Sequence, residues 1–104
     1  MLESVEAMLE FEWDPAKAQS NSEKHGITFV EAITVFGDPL EVTIPDPDHS
    51  EGEARFLSLG YSEQGRLLVV SYTEREDRIR IISAWKASNN EQEIYHRSIF
   101  GSSD

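Results

Sequence analysis

The stretch Arg66–Ser88, RLLVVSYTEREDRIRIISAWKAS, decides the fold. It holds two β-type runs, Leu67–Thr73 and Arg78–Ala84, separated by a polar turn, Glu74-Arg75-Glu76-Asp77. Both runs are rich in Val, Ile and Leu, and the connection has hairpin length. Side chains alternate along a strand, so Ile79 and Ile81 share one face while Arg78, Arg80 and Ile82 take the other. A cation in the middle of a central strand is costly to bury unless an anion meets it. Arg80 is therefore the first residue to question.

Outward from the hairpin, Ser88 or Asn89 caps a last helix, with Glu91 or Gln92 in the reciprocal position. That helix carries Ile94, Tyr95 and Ile99, and residues 101–104 form a tail expected to fray. Upstream, Leu57, Leu59 and Tyr61 line one face of a strand that begins near Arg55, and Ser62-Glu63-Gln64-Gly65 turns it into the hairpin. Leu40, Val42 and Ile44 alternate with Glu41 and Thr43 to give another half-buried strand. Pro45 and Pro47 end it, because each removes a ladder donor. Thr28-Phe29-Val30-Glu31 reads as a capping box, opening a helix with Phe29, Ile33 and Phe36 on its apolar face. Asp14-Pro15 starts an earlier helix and Gly26 stops it. The polar body of that helix predicts a surface position. Phe11 and Trp13, flanking Glu12, read as a short first strand.

The order is strand, helix, helix, four closely linked strands, helix. Short links favour antiparallel pairing. The expected fold is α+β: a twisted antiparallel β-sheet with helices packed mainly on one side. Residues 1–10 read as an N-terminal extension compatible with a helical arm, and residues 11–100 as one domain.

Of the 104 residues none is Cys, which removes disulfides, thiolate metal sites and thiol nucleophiles. No apolar run reaches the length of a membrane helix and no charged-then-apolar leader opens the chain. The expectation is a cytoplasmic protein with no membrane partner. The formal charge of −11 argues against nucleic-acid binding until its distribution is considered. The segment 55–88 holds six cations and four anions, a net +2, which leaves −13 on the rest of the chain. A mildly cationic sheet thus sits in an acidic shell. Most of those carboxylates read as a solvated surface, with a basic partner protein as the sharper alternative.

Asp46, Asp48, Glu51 and Glu53 offer oxygen ligands and His49 a nitrogen, but their spacing matches no calcium loop, so a solvated acidic loop is favoured and no metal or cofactor is expected. His25 precedes a helix-ending Gly, where a cation complements the helix dipole. Arg55, Arg80 and Lys86, with Glu74 and Tyr95 as titratable companions, are the candidates for chemistry. Guanidinium groups gathered on a sheet bind phosphate bidentately and stabilise charge developing on its oxygens. A carboxylate or lysine would then handle a 2′-hydroxyl proton. The bland reading places these cations in cross-strand salt bridges with Glu74, Glu76 and Asp77. It is preferred for Arg75 and Arg78, and stands level with the functional reading for Arg55 and Arg80.

Phe11-Glu12-Trp13-Asp14-Pro15-Ala16-Lys17, Lys24-His25-Gly26-Ile27, Glu31-Ala32, Val35-Phe36 and Asp38-Pro39 resemble the BrnT family of toxins. So do Asp46-Pro47-Asp48-His49-Ser50, Glu53-Ala54-Arg55-Phe56, Gly65-Arg66-Leu67-Leu68-Val69-Val70 and Arg80-Ile81-Ile82-Ser83-Ala84. The resemblance runs in order from Phe11 to about Tyr95. It implies a RelE-like fold and a metal-independent ribonuclease toxin. It also implies neutralisation by a BrnA-type DNA-binding antitoxin, through which alone the chain would reach operator DNA. His25, Arg55, Glu74, Arg80 and Lys86 carry over as candidate catalytic residues, and Arg66, Arg78, Trp85 and Tyr95 as candidate RNA contacts.

The chain departs from the family pattern after Ile-Ile-Ser-Ala. Trp85 stands where the family usually has Arg, and 88–93, Ser-Asn-Asn-Glu-Gln-Glu, replace a basic helix start. Each lost cation removes a phosphate contact. Trp85 would stack on a base or pack in the core. Two functions stay open: a working ribonuclease toxin, or a weakened homologue kept for antitoxin binding and operon repression.

Overall fold

A computed structural model describes residues 9–49 and 52–101. Residues 1–8 of the suggested N-terminal extension and 102–104 of the tail lie outside the described residues, while Leu9 packs on the core and Glu10 opens the first strand. Five strands, β1 (Glu10–Glu12), β2 (Val42–Pro45), β3 (Arg55–Tyr61), β4 (Leu67–Arg75) and β5 (Arg78–Lys86), form one sheet in the order β1-β5-β4-β3-β2. The helices are α1 (Pro15–His25), α2 (Phe29–Ile33) and α3 (Asn89–Phe100), and a 3-10 turn (Thr34–Gly37) follows α2. Strands β2 to β5 form an antiparallel meander, as their short links require. β1 pairs with β5 in parallel, Phe11 opposite Ile79, which the two helices between them make possible.

The hairpin is tighter than its sequence suggests. Pairing continues to Arg75 opposite Arg78, leaving Glu76 and Asp77 as the loop, with Glu76 at φ 57. Ser71 pairs with Ser83 but Tyr72 pairs with Ile81, so Ile82 is an extra residue on β5. This bulge resets the alternation. Ile79, Ile81 and Ala84 face the helices, while Arg80, Ser83 and Trp85 take the opposite face.

The first face is closed by α1, α2 and the 3-10 turn. Ile27, Phe29, Ala32, Val35 and Phe36 pack there on Leu68, Val70, Tyr72, Ile79, Ile81 and Ala84. Each large side chain in that core contributes roughly 1.5–3 kcal/mol by leaving water. Gly60 lets the 3-10 turn press on β3, since a Cβ there would lie 2.9 Å from Val35 Cγ1. The second face is covered at one end only, where α3 sets Tyr95 and Ile99 on Leu59, Val69 and Trp85. The helices are thus mainly, though not wholly, on one side.

The caps follow the sequence with one exception. Asp14 accepts from Ala16 N–H, Gly26 adopts the left-handed conformation (φ 71), and Ser88 with Glu91 completes a capping box. At α2, Thr28 Oγ1 accepts from Glu31 N–H, but the Glu31 side chain does not return the bond. It turns inward to Arg66 and to Ser62 Oγ. α1 is surface-exposed along most of its length, yet Asn21 is buried against β5.

Candidate functional site

The uncovered end of the second face is where the charged strand residues gather. Cross-strand pairing places Glu12, Arg80, Thr73 and Arg55 side by side on β1, β5, β4 and β3. Neighbouring strands lie about 4.8 Å apart, so the backbones of Arg55 and Arg80 flank Thr73 about 10 Å from one another. The next row, beyond the bulge, is Ser83, Ser71 and Leu57, and the one after it holds Trp85 and Val69 under α3. The face therefore grades from cations through hydroxyls to an aromatic wall.

A cleft of about 150 Å³ opens there, lined by Asp46, His49, Arg55, Ser71, Ser83 and Trp85, with Ile82 completing it. His49 enters it from the 3-10 turn Pro47–His49 that follows β2. Its Nδ1 lies 3.0 and 3.1 Å from the two Asp46 carboxylate oxygens. With Nδ1–H donated to Asp46, Nε2 is left as the acceptor. Thr73 Oγ1, at the floor between the arginines, is buried with no hydrogen-bond partner among the described residues.

Arg80 is held by Glu12, Nη1 to Oε2 at 3.0 Å, and Arg78 pairs with Glu10 and Glu12. The hydrogen bond from Arg80 is the main cause that keeps the Glu12 carboxyl below its ordinary value, against a smaller opposing effect of burial. Arg75 pairs with Glu53. The expected salt bridges exist, but their anions come from β1 and from the chain before β3 rather than from the hairpin turn. β1 runs in register alongside β5, which sets Glu12 opposite Arg80 and Glu10 opposite Arg78.

The structure brings together Arg55, Arg80 and Trp85, with Arg78 at the rim. It does not bring Glu74 or Lys86 to them. Glu74 pairs with Ile79 and Lys86 with Leu68, both core residues of the helix-covered face, so these two side chains lie on the other side of the sheet. His25, at the end of α1, faces Trp85 with ring centroids 6.3 Å apart. Arg66 is engaged with buried Glu31, whose carboxyl it holds below the ordinary value against desolvation. Tyr95 is buried, and its hydroxyl donates to Asp38 at 2.6 Å. Burial and that carboxylate together push the Tyr95 hydroxyl well above its ordinary value.

His49 is exposed in its loop, as expected, and its three-residue spacing from Asp46 pairs the two side chains beside the cleft. Among the described residues no three His, Asp or Glu side chains converge to hold a metal ion.

A mostly antiparallel α+β sheet, closed by helices on one face and open beside two strand arginines on the other, is the class of domain that the structure defines. Residues 13–91 match the family described as "Ribonuclease toxin, BrnT, of type II toxin-antitoxin system", and the chain belongs to this BrnT toxin family. The crystal structure of the Brucella abortus ribonuclease toxin BrnT is similar, with a TM-score of 0.62 at 20% identity over 78% of this chain and 99% of that one. That likeness establishes the RelE-like fold. No curated protein matches the chain. Family membership places the chain among the toxins of type II systems, which implies an antitoxin as counterpart and nucleic acid as the general target.

Proposed function

We propose that the chain cleaves RNA without metal at the cleft lined by Arg55 and His49, with Arg80 across Thr73 from Arg55. The observation that carries this reading is the row Arg55–Thr73–Arg80, which sets two arginines on one face, on the strands either side of Thr73. Their donors would hold the non-bridging oxygens of a phosphodiester and stabilise the charge that grows there during attack. His49 Nε2 would take the proton of the ribose 2′-hydroxyl. The 2′-oxygen then bonds to phosphorus as the bond to the 5′-oxygen breaks, and that oxygen takes a proton from solvent. The product is a cyclic phosphate, which hydrolyses to a 3′-phosphate end. Trp85 supplies a face on which a flanking base would stack. A BrnA-type antitoxin would cover the cleft and carry the complex to operator DNA.

One observation favours the second reading, a weakened toxin kept for binding and repression. Arg80 already has the Glu12 carboxylate as a partner. An RNA cleavage assay in excess chelator decides between them. Cleavage that persists and falls about 10²-fold or more in Arg80→Ala and His49→Ala supports the first reading. Intact RNA at every protein concentration supports the second.

A further inference from the structure

We infer that the cleft between α1 and the β5 bulge is a second phosphate-binding subsite, for the RNA strand on its way to or from the Arg55–Arg80 cleft. This deepens the proposed ribonuclease reading and rests on it. The second cleft, about 220 Å³, is lined by Lys17, Ser20, Lys24, His25 and Ser83, among others. Ile82 and Ser83 form a wall common to both clefts, and His25 faces Trp85 across it. The bulge at Ile82 is what aims this stretch of β5 at both.

The charges point to a ligand. In a chain of net charge −11, Arg66, Arg75, Arg78, Arg80 and Arg97 each pair with a carboxylate. Lys17 and Lys24 make no ion pair among the described residues, although both are exposed and line the same cleft. Helix stability explains Lys24 but not Lys17. Lys24 and His25 sit in the last turn, where cations suit the dipole, whereas Lys17 is in the first turn, where a cation is opposed by it. Lys17 and Lys24 are seven residues apart, two turns along one face and about 10 Å along the axis. The two ammonium groups and His25 thus line one side of a trough whose opposite wall is Ile82 and Ser83. A polyanion with phosphates at regular spacing fits that trough, and single-stranded RNA fits it without base reading.

The test uses the full chain and a short 2′-O-methyl oligoribonucleotide, which binds but lacks the attacking hydroxyl. Dissociation constants are measured over a range of salt concentrations for the native protein, Lys17→Gln/Lys24→Gln, Lys17→Arg/Lys24→Arg and Arg97→Gln. Cleavage of the unmodified oligonucleotide is measured in parallel for the native protein and Arg80→Ala. The expected result is several-fold weaker binding of the Gln pair and a salt slope lower by about 1.4, at roughly 0.7 per phosphate contact. The Arg pair should keep the native slope, and Arg97→Gln should match it, since Arg97 lies on α3. Native affinity and slope in the Gln pair would overturn the subsite, even if Arg80-dependent cleavage stands. Weakened binding by the Gln pair, with no cleavage by the native chain, would uphold the subsite while the catalytic reading fails.

Discussion

Asn21 and Ala84 are 63 positions apart and meet through two hydrogen bonds, Asn21 Nδ2 to the Ala84 carbonyl at 2.9 Å and Ala84 N–H to Asn21 Oδ1 at 3.0 Å. The side-chain amide stands in for a strand peptide. β1 pairs with β5 only as far as Arg80, so beyond that point the outer edge of β5 lacks a neighbouring strand. The same amide also donates to the Ile27 carbonyl and accepts from Ser83 Oγ. It ties α1, the α1–α2 link and the bulged strand together below both clefts.

Asn21→Ala should therefore cost more than its size suggests. It strands buried backbone groups of Ala84 and Ile27, and about 2–4 kcal/mol of stability is expected to go. Urea denaturation of the variant beside the native chain checks this. A loss below 1 kcal/mol, within the range of an ordinary surface change, would show that water replaces the amide.

The Glu31–Arg66 pair predicts an acid limb in the stability curve. The folded Glu31 carboxyl is held below its ordinary value of 4.5, by Arg66 first and by Ser62, against desolvation. A depressed pKa means that the stabilisation is fully present above the ordinary value and is lost as pH falls through the folded one. Glu31→Gln should lower the denaturation midpoint at neutral pH and flatten the acid limb, so that the two curves converge in acid. Parallel curves at all pH values would assign the acid limb to other carboxylates.

Trp85 packs against the α3 end of the sheet and also walls the Arg55 cleft, with Nε1–H donated to Glu91 at 3.3 Å. Trp85→Arg should lose about 2 kcal/mol of packing, less than for a fully buried aromatic. Glu91, already within hydrogen-bond distance, should capture the new guanidinium. The salt slope of RNA binding should then stay flat unless Glu91 is also neutralised. Thermal melts and binding at two salt concentrations, for Trp85→Arg with and without Glu91→Gln, decide this. A steeper slope in the single variant would mean that Glu91 does not hold the arginine.

Asp38 is the junction of three elements. Burial pushes its carboxyl up, but hydrogen bonds from Tyr95, Tyr61 N–H and Leu40 N–H outweigh that and hold it below its ordinary value. Tyr95→Phe removes one donor and leaves the carboxylate its backbone partners, so a loss of about 1–2 kcal/mol is expected. Since the remaining bonds are fewer, the Asp38 carboxyl should titrate at a higher pH in the variant, shifting the acid loss of stability upward. Melting temperature as a function of pH measures both effects.

The sequence by itself determined the element order, the meander, the helix caps and the alternation that separates Ile79 and Ile81 from Arg80. These are set by contacts within a few residues, where period, turn chemistry and capping act directly. It also marked Arg55 and Arg80, because a cation inside a strand is anomalous wherever its neighbours lie. Only the tertiary structure decided that these two share a row, that Glu12 rather than the hairpin acids holds Arg80, and that Glu74 and Lys86 fall on the opposite face. The register of β1 and the extra residue at Ile82 fix those outcomes, and a one-residue slip reverses every face beyond it. The burial of Asn21 and the turn of Glu31 toward Arg66 were equally hidden. In each case a polar side chain satisfies groups brought near by the folded chain, and no local pattern along the sequence encodes that proximity.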